Sequence, residues 1–258
     1  MDLALDIPDP LGRATVKPAR VPEGMACYAV GDIHGRLDLF ETLIADIEHD
    51  ITRHGLDSRI ILLGDYVDRG PSSRGVIDAI LALRDRHGER LVPLMGNHEQ
   101  AMNDFLANAG AGPIWAQHGG RETMLSYGVI VNGRQHSAED WEGFRVALDA
   151  AMPQSHKNLL SNLQYFATFG DYVFVHAGVR PGILLEEQDH QDLLWIRDDF
   201  LKSGRAIAQT VVHGHTPSAV PILSEGRIGI DTGAYATGVL TSVKLIEDKV
   251  DLLQVSRR

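Results

Sequence analysis

Five short apolar runs in this sequence each stop abruptly at glycine, histidine or a short polar segment. The runs span residues 25–30, 60–63, 91–95, 172–175 and 210–212. They are followed in turn by Gly31-Asp32, Gly64-Asp65, Gly96-Asn97, His176 and His213-Gly214-His215. Continuous apolar runs of this length are typical of strands that are covered on both faces. The sequence therefore predicts a sheet whose central strands end in polar side chains.

Helical segments separate the first three runs. Stretches 37–51 and 75–86 each carry an apolar stripe at helical spacing, formed by Leu39, Leu43, Ile47, Ile51, Val76, Ile80 and Leu83. Strands that alternate with helices predict an α/β fold. Near the carboxyl end, stretches 227–230 and 239–255 read as consecutive strands, so we expect the sheet to be mixed.

Three regions are expected along the chain. Residues 1–24 hold four of the eleven prolines and show no periodicity, which predicts an extended amino-terminal arm. Residues 25–258 are expected to form one compact domain. Within it, residues 100–170 interrupt the strand rhythm and predict a largely helical insertion beside the site, where substrate contacts would arise. The alternative is that this insertion lies on the surface and packs only against itself.

Charge and cysteine content narrow the class of protein. The 258 residues include 24 Lys and Arg against 35 Asp and Glu, a formal charge of −11. An acidic surface repels a phosphate backbone, so a nucleic-acid partner is not expected. Cys27 is the single cysteine, which excludes an intrachain disulfide and fits a reducing compartment.

Neither a targeting signal nor a membrane segment is expected. Asp2, Asp6 and Asp9 stand where a signal peptide requires basic residues, and no apolar core follows them. The longest unbroken apolar run is the stretch 25–30, whereas a membrane helix needs about 20 residues. We therefore expect a cytoplasmic protein with no membrane partner.

The polar strand ends supply a set of candidate metal ligands. Ligand sites in an open α/β sheet gather at the carboxyl ends of the strands. Six side chains are therefore expected to converge there: Asp32, His34, Asp65, Asn97, His176 and His215. Each one alone has an ordinary explanation as a turn residue, a helix cap or a core histidine. Their occurrence at successive strand ends indicates a shared site.

Seven segments resemble the signature blocks of one enzyme family. They are GDIHGR at 31–36, GDYVDRG at 64–70, GNHEQ at 96–100, VHAG at 175–178, Trp-x-Arg at 195–197, VHGHTP at 212–217 and IDTGA at 230–234. Together they are similar to the phosphoprotein phosphatase branch of the calcineurin-like metallophosphoesterases, in its bacterial and phage lambda type of serine/threonine protein phosphatase. The resemblance implies a metallophosphoesterase-like four-layer α/β/β/α sandwich with two mixed sheets.

The resemblance also implies how the six ligands divide between two divalent metal ions. Asp32 and His34 would bind one ion, Asn97, His176 and His215 the other, and Asp65 would bridge them. Carboxylate, amide and imidazole ligands without a thiolate suit manganese, iron or zinc, of which we expect manganese. Two such ions lower the pKa of a shared water, and the resulting bridging hydroxide attacks phosphorus in line.

Further motif residues have roles that the resemblance implies. His98 would be the general acid that protonates the leaving oxygen, and Asp68 would hold its imidazole in the correct tautomer. Arg69 and Arg197 would clamp phosphate oxygens, for which a planar guanidinium is well suited. For Arg197, the alternative is a surface ion pair with Asp198 or Asp199.

Two assignments stay open at this point. Either His213 or His215 could be the ligand in the VHGHTP segment, and we assign His215 because the Gly-His-x-His pattern of related nucleases is absent. Arg36 lies beside the first two ligands, where a surface role and a role in the site are equally compatible with the sequence.

The expected function is hydrolysis of phosphomonoesters, with phosphoserine or phosphothreonine in proteins as the first substrate class and phosphotyrosine as an addition. The alternative is a symmetrical dinucleoside tetraphosphate hydrolase, a family that usually carries GDLVARG where this chain has GDYVDRG. Asp68 favours the first reading, because an alkoxide leaving group needs protonation most. A metal-free binding protein with a decayed site is disfavoured, since all six ligand positions hold competent residues. The partner is therefore a phosphorylated protein or a small phosphate ester, and the sequence leaves oligomeric state open.

Overall fold

The computed structural model describes residues 18–133 and 135–257. In this part of the chain the strands are β1 (Met25–Val30), β2 (Asp57–Leu62), β3 (Leu91–Pro93), β4 (Phe166–Phe169), β5 (Tyr172–Val175), β6 (Thr210–His213), β7 (Ile222–Ser224), β8 (Arg227–Gly229), β9 (Val239–Ile246) and β10 (Lys249–Ser256). They form two five-stranded sheets, ordered β10-β9-β1-β2-β3 and β4-β5-β6-β8-β7.

The helices of the same residues are α1 (Leu37–His54), α2 (Ser73–His87), α3 (Asn97–Ala107), α4 (Gly112–Trp115), α5 (Arg121–Ser126), α6 (Ala138–Ala151), α7 (Gln154–Ser161), α8 (His190–Trp195), α9 (Asp198–Leu201) and α10 (Ala234–Thr237). A π-helical turn, Ala116–Gly120, joins α4 to α5. None of the described helices is both long enough and apolar enough to cross a bilayer.

Both sheets are mixed, as the sequence predicts. In the first sheet β1, β2 and β3 are parallel, whereas β9 runs antiparallel to β1 and pairs with β10 as a hairpin. In the second sheet β5, β6 and β8 are parallel, and β4 and β7 add antiparallel edges. The candidate ligands follow the carboxyl ends of five of these parallel strands, namely β1, β2, β3, β5 and β6.

The two sheets pack face to face across one apolar core. Cys27 and Ala29 of β1 lie in the same buried cluster as Phe174 of β5 and Val212 of β6. Because side chains alternate along a strand, the residues between them on β1 face the opposite way, towards helices. Burial on both faces is the reason that the sequence of β1 is continuously apolar.

Helices cover the two outer faces. On the first sheet, Tyr28 packs with Leu39 of α1 and Val76 of α2. On the second sheet, Val211 of β6 packs with Phe200 of α9. The layers therefore follow the order α/β/β/α, which confirms the predicted four-layer sandwich.

Two edge strands, β4 and β7, have no counterpart among the predicted runs. Most of their side chains are half-buried or exposed, so their sequences are not continuously apolar. Strand β4 also falls inside the stretch 100–170, which otherwise holds helices from α3 to α7. A short antiparallel edge strand needs only one covered face, and such a strand leaves little signal in the sequence.

The predicted arm at 1–24 is described only from residue 18, and residues 1–17 lie outside the described part. The remaining segment runs along the domain. The backbone N–H of Val21 donates to Glu247 at 3.0 Å, and the N–H of Asp171 donates to the carbonyl of Arg20 at 2.8 Å. These bonds tie the segment to both sheets.

Candidate metal centre

The loops that follow the central strands hold strained backbone. Among the described residues, six that are not glycine have a left-handed φ, and five of these belong to the predicted site: His34 (46°), Asp65 (52°), Asp68 (72°), Arg69 (68°) and His215 (62°). A left-handed backbone costs free energy for residues with a Cβ, and it persists where the surroundings impose it, most often at functional sites.

Glu99 imposes this conformation on the loop after β2. Its carboxylate is fully buried and accepts four backbone N–H groups. Those of Asp65 and Gly96 bond to Oε2 at 2.8 and 3.0 Å, and those of Tyr66 and Val67 bond to Oε1 at 2.8 and 3.1 Å. A buried acceptor with this many donors fixes the loop in one geometry, because each lost bond would leave a group unsatisfied.

Two of the predicted histidine ligands have a defined tautomer. The Nδ1–H of His34 donates to the carbonyl of Val67 at 2.8 Å, and the Nδ1–H of His176 donates to Leu63 at 2.9 Å. Burial lowers the pKa of both imidazoles well below the usual range, so they are neutral. Each ring therefore presents an Nε2 lone pair to the centre, which is the arrangement a metal-binding histidine needs.

The first cluster of donor atoms surrounds Asn97. Its Oδ1 lies 2.8 Å from His176 Nε2 and 2.9 Å from His215 Nδ1. His176 Nε2 is also 3.4 Å from Asp65 Oδ1. Because the single proton of neutral His176 is on Nδ1, its Nε2 lone pair faces the lone pairs of Asn97 Oδ1 directly. A cation held by these atoms would remove the repulsion between the lone pairs.

The second cluster lies on the other side of Asp65. His34 Nε2 is 3.4 Å from Asp65 Oδ2 and has no hydrogen-bond partner, although it is buried. One carboxylate oxygen of Asp65 thus faces His176, and the other faces His34. Asp65 therefore lies between the two clusters, where a carboxylate would have to lie to bridge two cations, and the bridging role itself stays a prediction.

Asp32 lies against the backbone of the last ligand loop. Both of its carboxylate oxygens are 3.1 Å from the backbone N–H of His215. Burial raises the pKa of Asp32, and the neighbouring carboxyls of Asp231 and Asp65 raise it further. Positive charge in the centre is therefore required to keep Asp32 ionised.

The chemistry of the donor set fits two divalent cations. The atoms are carboxylate and amide oxygens and imidazole nitrogens, with no thiolate, which is the set favoured by manganese, iron or zinc. Burial raises the pKa of Asp65 to about 7, so without a cation the centre would hold poorly solvated carboxylates. The groups His34-Asp65-His98 and Asp65-His176-His215 each bring three potential ligand atoms within 4.8 Å of one another.

Beside this centre lies a buried acid–base pair. His98 Nδ1 is 2.6 Å from Asp68 Oδ2. The same carboxylate accepts the indole N–H of Trp115 at 2.8 Å and the hydroxyl of Thr123 at 2.6 Å. Burial raises the pKa of Asp68 to about 7, and the bonds from Thr123 and Trp115 act against this rise. The pair is therefore locked in one orientation by side chains of the 100–170 stretch.

His98 is also close enough to the metal ligands to be considered one itself. Its Nε2 lies 3.8 Å from Asp65 Oδ2. However, Arg69 Nη2 lies 3.0 Å from the same Nε2, and a guanidinium can only donate. The Nε2 lone pair is thus engaged by Arg69, which favours a role in proton transfer over metal ligation.

Replacing Thr123 by Val is expected to lower the free energy of unfolding by about 1–3 kcal/mol, because one oxygen of buried Asp68 loses its hydroxyl donor. Equilibrium urea unfolding measures the change. Thr52→Val on the exposed face of α1 is the matched control, with an expected change within about 0.5 kcal/mol. An equal effect in both variants would contradict the inferred importance of the Thr123 bond.

A scan against protein families matches residues 25–240 to the calcineurin-like phosphoesterase family. This match spans most of the chain. The chain belongs to the calcineurin-like phosphoesterase family. The resemblance seen in the sequence is thereby confirmed at the level of the family, whose members use a dinuclear metal site.

Relatives of this phosphoesterase carry nucleotide-related names. A bis(5'-nucleosyl)-tetraphosphatase PrpE of Anoxybacillus flavithermus, described as asymmetrical, is 26% identical over 239 residues, covering 84% of this chain and 89% of the relative. A PrpE of Geobacillus thermodenitrificans is likewise 26% identical over 239 residues, with the same coverage of both chains.

Solved structures support the same fold. A serine/threonine phosphatase from Saccharomyces cerevisiae superposes with a TM-score of 0.54 at 13% identity, covering 94% of this chain and 85% of its own. A metallophosphoesterase from Sphaerobacter thermophilus gives a TM-score of 0.54 at 16% identity, covering 91% and 89% of the two chains. At these identities the structures support the fold alone.

Arg197 of this phosphoesterase lines the same cleft as Arg69, Asn97 and His98. Its Nη1 donates to the hydroxyl of Thr216 at 3.2 Å. The two aspartates that follow Arg197 are paired with other side chains, and within the described residues Arg197 forms no ion pair with them. The structure thus places Arg197 with the site rather than in the surface pair considered from the sequence.

The structure shows the contacts of Arg36, whose role the sequence leaves open. Its guanidinium pairs with Asp38 and donates from Nη1 to the carbonyl of Ala234 at 2.9 Å. The next residue, Tyr235, has its ring 4.7 Å from the guanidinium carbon of Arg69. Arg36 therefore fixes the α10 segment, and that segment in turn holds Arg69.

His213 lies away from the ligand cluster. Its Nδ1 is 3.0 Å from the carbonyl of Gly214, and its ring packs edge-on against Phe200 in the outer layer. His215, in contrast, faces Asn97. The assignment of His215 as the ligand stays a prediction, made for a side chain that lies among the other donor atoms.

Four residues of the site escape the analysis of the sequence as individuals: Glu99, Trp115, Thr123 and Tyr235. Glu99 lies inside the recognised segment GNHEQ and Tyr235 directly follows IDTGA, and that proximity is the signal that could have identified them. Trp115 and Thr123 lie in the helical stretch, where nothing in the local pattern sets them apart from core residues.

Proposed function

We propose that this phosphoesterase hydrolyses the phosphate chain of dinucleoside polyphosphates. The observation that carries the reaction class is the position of Asp65 between two donor clusters, beside the His98–Asp68 pair. Names of the relatives support a nucleotide substrate, and they favour the alternative reading of the sequence over a phosphoprotein substrate. Those relatives are named asymmetrical, so we propose asymmetrical rather than symmetrical cleavage.

Divalent cations held by the six ligands, with manganese proposed, would lower the pKa of water and neutralise phosphate charge. The chain itself supplies the positioning. Asp65 fixes the separation of the two clusters, and Glu99 fixes Asp65. Arg69 and Arg197 lie on one cleft, where two forked guanidinium groups can hold the oxygens of a phosphate.

Proton transfer falls to His98. In the structure its Nε2 accepts a hydrogen bond from Arg69. When a phosphate engages Arg69, Nε2 is free to carry a proton and to donate it to the leaving oxygen. Burial lowers the pKa of His98. The negative charge of the phosphate chain and the carboxylate of Asp65 both favour the protonated imidazole and so oppose that effect.

A protein phosphomonoesterase is the second candidate. The observation in its favour is the tightly held His98–Asp68 pair, since the alkoxide of serine or threonine requires protonation more than a phosphate leaving group does. Phosphotyrosine belongs to this candidate as well.

A substrate panel tests the proposal. After chelation and addition of manganese, kcat/KM is compared for diadenosine tetraphosphate, phosphoserine and phosphotyrosine peptides and an aryl phosphate. We expect a preference of at least about tenfold for the dinucleotide. Products of ATP and AMP would support asymmetrical cleavage, whereas two ADP would indicate symmetrical cleavage. Preference for a phosphopeptide would overturn the proposal.

A further inference from the structure

A cleft of about 450 Å³ extends from the metal centre along helix α3. Asn97, His98, Ala101 and Asp104 line it, at spacings that place them on one face of the helix. With a rise of about 1.5 Å per residue, Asp104 lies about 10 Å from Asn97 along the axis. Ala101, a small residue, keeps the floor open between the two ends.

The walls of this cleft carry exposed apolar side chains. Ile114 of α4 is 67% exposed, and Trp195 at the end of α8 is 46% exposed. Trp195 is nevertheless held in place, because its indole N–H donates to Gln100 Oε1 at 2.8 Å. A fixed, accessible aromatic ring can stack on a ligand with little further loss of side-chain entropy.

Charge divides the cleft into two ends. Arg69 and Arg197 lie at the end near the metal ligands, whereas the carboxylate of Asp104 lies at the far end. An anionic chain is therefore attracted to the near end and repelled from the far end. The complementary ligand has phosphates at one side and a neutral, flat group at the other.

We infer that the cleft between Trp195 and Ile114 is a subsite for the nucleobase of the leaving nucleotide. The inference rests on the proposed function and names the part of the substrate that this cleft recognises. The base stacks on Trp195 above Ala101, while its phosphate chain reaches Arg197 and Arg69. A phosphoserine peptide has no flat ring at this distance from its phosphate and would leave the subsite without a stacking partner.

Competitive inhibition tests the subsite without requiring any nucleotide to be a substrate. Hydrolysis of an aryl phosphate at saturating manganese reports the inhibition constants of ATP and of inorganic tripolyphosphate, which share a phosphate chain but differ in the nucleoside. In Trp195→Ala the constant for ATP is expected to rise by about 5- to 150-fold, since that is the range for loss of one base stack. The constant for tripolyphosphate is expected to stay within about twofold.

Two further variants sharpen the result. Trp195→Phe should retain most of the affinity for ATP. Ala101→Leu should weaken the binding of ATP and not that of tripolyphosphate, because the larger side chain fills the space above the floor of the cleft. Leu184→Ala, an exposed apolar residue outside the cleft, is the matched control.

Equal effects of Trp195→Ala on both inhibitors, or no preference of the parent protein for ATP over tripolyphosphate, would overturn the inference. A phosphopeptide whose affinity falls in Trp195→Ala while that of ATP is unchanged would also overturn it. Failure to cleave diadenosine tetraphosphate, with ATP inhibition behaving as expected, would instead count against the proposed function alone.

Discussion

Replacement of Asp65 by Asn is expected to reduce turnover of every substrate by more than about 100-fold and to release both metal ions. Loss of an outer partner of a metal ligand already costs about 10–100-fold in metal affinity, and Asp65 contacts both clusters directly. An Asn side chain offers one neutral oxygen where the carboxylate presents one oxygen to His34 and one to His176. The two sites should therefore fail together.

Elemental analysis after dialysis against manganese measures this outcome, with Asp46→Asn on the exposed face of α1 as the matched control. Retention of two ions per chain in Asp65→Asn would contradict the bridging geometry. Loss of one ion alone would assign Asp65 to a single cluster.

Measuring the stability of the metal-free protein distinguishes a variant that has lost only its metal ligand from one that no longer folds. Burial raises the pKa of Asp65 from 3.8 to about 7. A folded-state pKa above the unfolded value means that stability falls as the pH rises from about 4 through 7. At pH 8 metal-free Asp65→Asn is therefore expected to be at least as stable as the metal-free parent, as thermal unfolding would show.

The strand ends were the part of the site that could be predicted from the sequence. A parallel strand buried on both faces must be continuously apolar, so the positions of Asp32, Asp65 and Asn97 after such runs are visible without coordinates. Their convergence follows from parallel pairing of β1, β2 and β3.

Contacts that fix the orientation of these ligands could not be predicted in the same way. Glu99 acts on backbone N–H groups of a loop 32–34 residues earlier in the chain, and Trp115 reaches Asp68 from 47 residues away. Such contacts depend on how helices α3 to α5 pack, and an apolar pattern does not specify this. Left-handed φ values at His34 and Asp65 leave no signal either, since those positions are not glycine.

The first and last residues of the strands likewise could be predicted only in part from the sequence. Strand β2 begins at Asp57, ahead of its apolar run, because Asp57 pairs with Met25 at the start of β1. The residue at which a strand begins depends on its partner strands, whereas its own sequence indicates only which of its residues are buried.

Replacement of His98 by Asn is expected to slow hydrolysis of phosphoserine-type substrates by about 10²- to 10⁴-fold, the usual contribution of a general acid. An aryl phosphate should lose much less, because its leaving group is stable without a proton. The rate loss for dinucleoside polyphosphates should lie between these two, since a phosphate leaving group needs only partial protonation. The Asn amide can still donate to Asp68, so the pair's buried carboxylate stays satisfied and the fold is retained.

Metal content separates this role from ligation, because His98 Nε2 also lies within reach of Asp65 and His34. Two ions per chain should remain in His98→Asn, and the alkaline limb of the pH–rate profile, which reports deprotonation of the acid, should disappear. His118→Asn, which alters another histidine lining the cleft, should keep that limb. Equal rate losses on alkoxide and aryl substrates, or loss of an ion, would show that His98 is a ligand rather than the acid. The leaving-group dependence thus tests whether the 2.6 Å contact with Asp68 serves proton transfer or only holds the ring in place.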